Sequence, residues 1–286
     1  MRVLRVFPRR TRATPDDADV VVGRSPTLWD QADRVDVSVT FEWDKERAER
    51  LAEKWAVVAP TTVGGPAYGD PGGEFVPGKY LKRGYVITSR GCPGACKHCL
   101  VPGREGGLRV LGITDGWDVL DNNLLACPRG HVAAVFDMLE RQPEPAKFTG
   151  GLEARRLEAW HVERLARLRP DAIWMAYDRE IEWEPLAAAV AMLREAGLVA
   201  RWRRKRVGAY VLMGWAGDTP DEAEKRLRRV IFGLEIKTQA MLLDNGRECD
   251  PSDLPRWWWL RKQYTSAASV GAMVMEAWES SKVREC

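Results

Sequence analysis

The sequence predicts an α/β protein built on a parallel sheet whose helices cover the outer face. Two observations predict it. From residue 80 onward, strand-like runs at 84–89, 117–120, 146–149, 171–177, 208–213 and 236–243 alternate with amphipathic segments. The connections are short, and such alternation is satisfied by parallel strands with crossover helices. The helical segments follow from apolar spacing. Val132, Val135, Phe136 and Leu139 recur at i, i+3, i+4 and i+7. Leu157, Trp160, Leu165 and Leu168 share a second face, Leu186, Val190 and Leu193 a third, and Ala223, Leu227, Val230 and Ile231 a fourth.

The first eighty or so residues read as a separate small α/β unit. Val3–Phe7, Asp19–Val22 and Val35–Phe41 are strand candidates rich in β-branched residues. Asp44 is placed to cap a helix from Lys45 to Trp55, with Ala48, Leu51, Ala52 and Trp55 on one face. Val57–Ala59 reads as another short strand. The turn-rich stretch Val63–Gly73 then marks the junction, giving domains 1–79 and 80–286. From Pro255, the run Trp257-Trp258-Trp259 leads into a C-terminal helix through Ala272, Met275 and Trp278. Three adjacent indoles do not fit on one helix face, so at least one lies outside the main core.

The 286 residues are 45% hydrophobic and 30% charged, an ordinary globular composition. No apolar run approaches the roughly 20 residues that span a bilayer. The start, Met1 to Pro8, has no apolar core of a secretory signal. The expectation is a cytoplasmic protein without membrane contact, whose thiols are metal ligands rather than disulfides. The net charge of +3 demands no polyanionic partner. Yet Arg201–Arg206 and Arg256–Lys262 interleave cations with indoles, a pattern suited to phosphates and stacked bases or to solvated helix faces.

Chemistry concentrates in Cys92-Pro-Gly-Ala-Cys96-Lys-His98-Cys99. Three clustered thiolates are soft ligands for zinc, copper(I) or iron–sulfur centres. Structural zinc takes four ligands, commonly in paired knuckles, and no second pair follows downstream. A four-iron cube on three sulfurs leaves one iron open. The alternatives are a zinc knuckle with His98 as fourth ligand, or a disulfide loop.

Other candidates sit at strand ends. Asp121-Asn122-Asn123 closes the second strand, where Asn122 and Asn123 would orient a ligand or cap turns. Cys127 follows, as a reactive thiol or a small buried residue. Phe148-Thr-Gly150-Gly151-Leu-Glu153 exposes backbone to a ligand. Asp178 follows the fourth strand, and Leu212 to Gly214 ends the fifth. Arg90 and Arg104-Glu105 flank the cysteine loop. His131 and His161 read as structural, and Cys249 and Cys286 follow no iron–sulfur pattern.

The CxxxCxxC loop after the first strand of this series resembles the radical S-adenosylmethionine (SAM) superfamily, with His98 where an aromatic residue usually precedes the last cysteine. The resemblance covers about residues 80 to 245. It implies an open (β/α)6 partial TIM barrel with a [4Fe–4S] cluster on Cys92, Cys96 and Cys99, the open iron chelating SAM. It places SAM against His98, Gly150, Gly151, Glu153, Asp178, Leu212 and Gly214, with Asn122 and Asn123 facing SAM or substrate. Cys127 becomes the candidate hydrogen donor or methyl carrier. Reductive cleavage of SAM would give a 5′-deoxyadenosyl radical that abstracts hydrogen from a substrate, the electron coming from a flavodoxin- or ferredoxin-type donor. The leading substrate class is a nucleic-acid base or nucleotide, on the basic–tryptophan segments. The alternatives are rearrangement or oxidation of a metabolite or peptide, an iron–sulfur electron carrier, and a zinc-bound nucleic-acid adaptor. The N-terminal unit, through Gly64-Gly65-Pro66, resembles a shortened domain of cobalamin-dependent radical SAM enzymes. No histidine precedes His98 and the unit is short, so the expectation is an enzyme without cobalamin.

Overall fold

A computed structural model describes residues 1–94, 96, 98–199, 206–246 and 249–265. The basic run 201–205, the terminal helix through Ala272, Met275 and Trp278, and Cys286 lie outside the described residues. Two compact units divide the chain, Met1–Glu144 and Pro145–Cys286.

The first unit begins with β1 (Val3–Phe7), β2 (Val20–Val22), β3 (Arg34–Ser38), α1 (Lys45–Trp55) and β4 (Thr61–Gly64). The strands are parallel in the order β2-β1-β3-β4. Alternation in the strands and 3.6-residue spacing in α1 aim Leu4, Val6, Val35, Val37, Ala48, Leu51 and Trp55 into one core. The opposite face is polar and tied down. Asp36 accepts from Arg34, Thr62 and the Tyr80 hydroxyl, and Arg5 donates to the carbonyls of Gly78 and Lys79.

Two expectations for this region need correcting. The fourth strand is Thr61–Gly64, not Val57–Ala59. The amides of Val58 and Ala59 still bond back to the Trp55 carbonyl, so helical wrapping consumes Val57–Ala59 and Val57 is left 82% exposed. Asp44 occupies the N-cap position of α1 but makes no side-chain cap bond; its carboxylate pairs with Arg9 at 2.8 Å.

The first unit continues with β5 (Tyr85–Val86), β6 (Ser89–Arg90), α2 (Val101–Arg104), β7 (Arg109–Val110), β8 (Asp118–Val119) and α3 (Arg129–Glu140). β5 pairs with β8 in parallel, and β6 with β7 antiparallel. The expected run 84–89 is therefore split, because Thr88 turns away to a side-chain partner described below.

The second unit contains β9 (Lys147–Phe148), α4 (Ala159–Leu168), β10 (Ala172–Ala176), α5 (Trp183–Glu195), β11 (Val207–Met213), α6 (Pro220–Arg228), β12 (Lys237–Leu242) and α7 (Leu254–Thr265). Its strands are parallel in the order β12-β11-β10-β9. All six expected strand positions thus hold strands, every one of them parallel in the pairings just given. The expected stripes of α3 and α5 are buried, as is the fourth, whose Ala223 and Leu227 lie in α6 and whose Val230 and Ile231 lie in the wider helical turn Arg229–Gly233 that follows it. In α4 the inward face is His161, Val162 and Leu165, with Trp160 and Leu168 only half-buried. His161 is structural: its Nδ1 accepts the Glu158 amide at 3.0 Å and closes the helix N-terminus. In α7, Trp257 is buried while Trp258 and Trp259 are 46% and 44% exposed, as one helix face requires. Among the described residues, no helix is long and apolar enough to cross a membrane.

Gly64 and Gly65 offer a matched test. Gly65 has φ 108°, and a Cβ there would lie 2.8 Å from the Val39 carbonyl oxygen, whereas a Cβ on Gly64 meets nothing within 4 Å. We expect Gly65→Ala to lose about 2 kcal/mol or more and Gly64→Ala to stay within about 0.5 kcal/mol of the parent, measured by urea unfolding.

Candidate active site

The cysteine loop leaves β6 and returns on β7. Gly91 opens it at φ 77°, where an added Cβ would sit 2.2 Å from the Gly107 carbonyl oxygen, so only glycine lets the two arms cross. The Cys92 amide donates to the Gly106 carbonyl at 3.3 Å, and the Cys99 amide to that of Cys96 at 3.0 Å. The Cys92 sulfur is half-buried and Cys96 and Cys99 are exposed. A Cβ on Gly94 would lie 3.3 Å from the Cys92 sulfur and 3.9 Å from that of Cys96, so both sulfurs converge on that glycine. His98 sits half-exposed beside Cys99. Among the described residues, no three His, Cys, Asp or Glu side chains are gathered closely enough to ligate a single ion.

Three consecutive residues at the end of β8 grip this loop. Asp121, 1% exposed, accepts the Thr88 amide at 2.6 Å, the Thr88 hydroxyl at 2.6 Å and the Ser89 hydroxyl at 2.7 Å. The Asn122 side-chain oxygen Oδ1 accepts the Gly91 amide at 2.9 Å. The Asn123 amide donates to the Cys92 sulfur at 3.4 Å, beside the Gly94 amide at 3.3 Å. Asn122 and Asn123 therefore have partners in the loop itself. Burial pushes the Asp121 carboxyl above its usual range in spite of its three donors.

Behind the loop, His131 Nε2 lies 3.2 Å from the Thr88 hydroxyl, and burial lowers its pKa. Cys127 is 7% exposed, its sulfur 3.9 Å from the Asn123 carbonyl, and burial raises the thiol. A neutral buried thiol suits hydrogen donation better than a methyl carrier, which needs a thiolate. Arg90 faces Glu105 at 3.5 Å and Arg104 binds Glu42 at 2.7 Å, so both flanking arginines have carboxylate partners within the unit.

In the second unit, the loop after β9 turns at Gly151 with φ 97°. Its edges are clamped: the Leu152 amide donates to the Trp174 carbonyl at 2.7 Å, and the Tyr210 hydroxyl to that of Thr149 at 2.9 Å. Gly150 is exposed and Gly151 half-exposed. Glu153 binds Arg156 at 2.7 Å. Asp178 does not pair with Arg179, which chelates Glu182 instead. Its Oδ1 accepts the Leu212 amide at 2.8 Å, joining the ends of β10 and β11. Burial raises the Asp178 carboxyl to about 6.

Sequence reasoning missed the group that holds the end of β11. Asp218 accepts the Gly214 amide at 2.9 Å and takes both terminal nitrogens of Arg226, whose guanidinium also reaches the Leu212 carbonyl at 3.2 Å and covers the Trp215 ring. The available signal was Asp218-Thr219-Pro220, a helix start directly after a strand end. Also missed was Trp174, stacked on Tyr210 with centroids 4.6 Å apart. It crosses β11 where a Cβ on Gly208 would lie 2.6 Å from its ring.

Two outcomes are expected. Asp121→Ala strands three buried donors and should lower stability by about 3 kcal/mol, seen as a drop of several degrees in Tm, while Asn122→Ala should cost about 1 kcal/mol. Asp178 has a folded pKa above its unfolded value, so its stabilising contribution is complete below about pH 4 and is lost as pH rises through about 6. Asp178→Asn retains an acceptor for Leu212. It should therefore raise stability at pH 8, by up to about 3 kcal/mol, with no gain at pH 4 in paired thermal melts.

No family model matches the chain, and no curated protein matches it. Among solved structures, it superposes on the radical S-adenosylmethionine methyltransferase TsrM from Kitasatospora setae, solved with cobalamin and a [4Fe–4S] cluster bound. The TM-score is 0.58 at 12% identity, covering 84% of this chain and 74% of that one. TsrM bound to its tryptophan substrate and the SAM analogue aza-SAM gives a TM-score of 0.53 at 13% identity, over 84% and 72% of the two chains. At such identity the likeness concerns the fold alone: this chain shares the α/β fold of those two structures.

Proposed function

We propose that the chain is a radical SAM enzyme that cleaves SAM reductively and abstracts hydrogen from its substrate, in the open (β/α)6 partial barrel expected from the sequence. The observation that carries the reading is the grip of Asp121, Asn122 and Asn123 on a CxxxCxxC loop, in a chain of radical SAM fold. The loop suits a [4Fe–4S] cluster by its donor chemistry: two of its three sulfurs converge on Gly94, and two N–H groups point at the Cys92 sulfur to share thiolate charge. A four-iron cube also takes its thiolates at corners set wider than the ligands of one ion.

In this reading Cys92, Cys96 and Cys99 hold the cluster, which with SAM supplies one-electron reductive cleavage when bound. The remaining work belongs to this chain's residues. Asn123 and Gly94 steady the Cys92 sulfur. Gly150 and Gly151 offer backbone groups to the SAM amino group, with Glu153 beside them. Asp178 keeps one carboxylate oxygen on Leu212 and offers the other to the ribose hydroxyls. Leu212 to Gly214, pinned by Asp218 and Arg226, form a flat apolar rest for adenine. Cys127 is the candidate hydrogen donor. Residues 1–79 act as an accessory unit, and a flavodoxin- or ferredoxin-type protein delivers the electron.

Among the described residues, the nucleobase or nucleotide substrate rests on Arg206 and on Arg256–Lys262. There, Arg256 binds Glu224 and lies over Trp259, while Arg261 lies over Trp258. These cations cover the protein's own indoles. A second reading, methyl transfer with cobalamin, draws on one observation: the structural neighbour is a methyltransferase with cobalamin bound.

Anaerobic reconstitution with iron and sulfide, then SAM and dithionite, separates these readings. Hydrogen abstraction predicts 5′-deoxyadenosine, abolished together with the cluster absorbance in Cys92→Ala, Cys96→Ala or Cys99→Ala. Methyl transfer predicts S-adenosylhomocysteine that depends on added cobalamin. Neither product would overturn both readings.

A further inference from the structure

The four-stranded sheet of the first unit has a topological switch point. From β1 the chain moves to β2 on one side, and β3 then lies on the other side of β1. The loops leaving β1 and β3 at their carboxyl ends diverge there, and open parallel sheets bind ligands in the crevice so formed. A cleft of ≈ 370 Å³ lies at this place, lined by the last residue of β1, Phe7, with Arg9 beyond it, and by the last residue of β3, Ser38, with Phe41 beyond it. That volume is near the lower end of the roughly 300–1,000 Å³ usual for small-molecule sites.

The lining chemistry is specific. Arg9 is held by Asp44 at 2.8 Å and lies 4.9 Å over the Phe41 ring, so it is both oriented and neutralised. Arg12, also in the lining and exposed, is ion-paired with none of the described residues. The loop that carries it is already ordered. The Thr11 amide donates to the Thr14 hydroxyl at 2.8 Å, Thr14 is 5% exposed, and the Lys82 amide donates to the Ala13 carbonyl at 2.8 Å. One guanidinium with no ion-pair partner among the described residues thus stands on a preformed loop, in a cleft that hydroxyls and the rings of Phe7, Phe41 and Tyr85 also line.

We infer that this cleft binds a small anion carrying one flat ring, its phosphate or carboxylate on Arg12 and its ring against the aromatic lining. The site takes no part in the SAM chemistry proposed above and does not rest on it. Removing Arg12 takes away a charge-assisted hydrogen bond, so binding should weaken roughly tenfold or more.

The test is calorimetric titration of the whole chain with adenosine monophosphate, indole-3-carboxylate, adenosine, and inorganic phosphate. The expected result is that one of the two ring anions binds, adenosine and phosphate bind at least about tenfold more weakly, and Arg12→Ala loses the affinity while Arg12→Lys recovers part of it. Which ring anion binds separates a phosphate from a carboxylate ligand. The inference is overturned if neither binds, if Arg12→Ala binds as well as the parent, if saturating SAM competes, or if hydroxocobalamin is the ligand that depends on Arg12. Because Arg12→Ala should still make 5′-deoxyadenosine, failure of the cleft and failure of the enzyme reading are recorded in separate assays.

Discussion

The hydrogen-bond register between β5 and β8 decides where the cysteine loop can stand. Tyr85 is paired with Asp118 and Val86 with Val119. Thr88 and Asp121 each lie two residues beyond the last of these pairs, so the parallel ladder carries them level with one another. A carboxylate then takes over from the backbone and receives the Thr88 amide at the point where the main chain departs. The two asparagines that follow meet the next parts of the loop in turn. Placement of the Cys92 thiol is thus inherited from strand pairing through a run of short polar side chains, which lose little rotamer freedom when they are fixed.

The second unit solves a related problem differently. Its strands β10 and β11 bury Ile173, Met175, Tyr177, Val207, Ala209, Val211 and Met213 on one face. Trp174, Tyr210, Leu212 and Asp178 stand on the other, less buried face. At the strand ends, charge rather than register sets the positions. Asp178 ties β10 to β11, and the Asp218–Arg226 pair ties Gly214 and Leu212 to the start of α6. Side-chain exposures of 11% for Arg226 and 2% for Asp218 mean that either one alone would be a poorly compensated buried charge.

Periodicity made the six later strands and most helices readable, because burial on one face leaves an alternating or 3.6-residue trace in the chain. It failed at Val57–Ala59, where β-branched residues belong to the turn closing α1 and Pro60 begins the approach to β4. It also failed at Asp44, an apparent cap whose carboxylate is drawn to a distant arginine. That Gly151, Asp178 and Gly214 stand just beyond strand ends was legible, because the strand pattern places them there. The roles of Asn122 and Asn123 were not, since their partners lie about thirty residues earlier. Arg226 was invisible for the same reason: nothing in a helix surface pattern distinguishes an arginine facing solvent from one folded back over an indole.

The crossing of Trp174 over Gly208 ties two distant codons together. Any side chain at position 208 would evict the indole from its stack on Tyr210, and the phenol that steadies the Thr149 carbonyl would lose its backing. A single missing methyl group in one strand therefore sets the posture of a glycine turn two strands away.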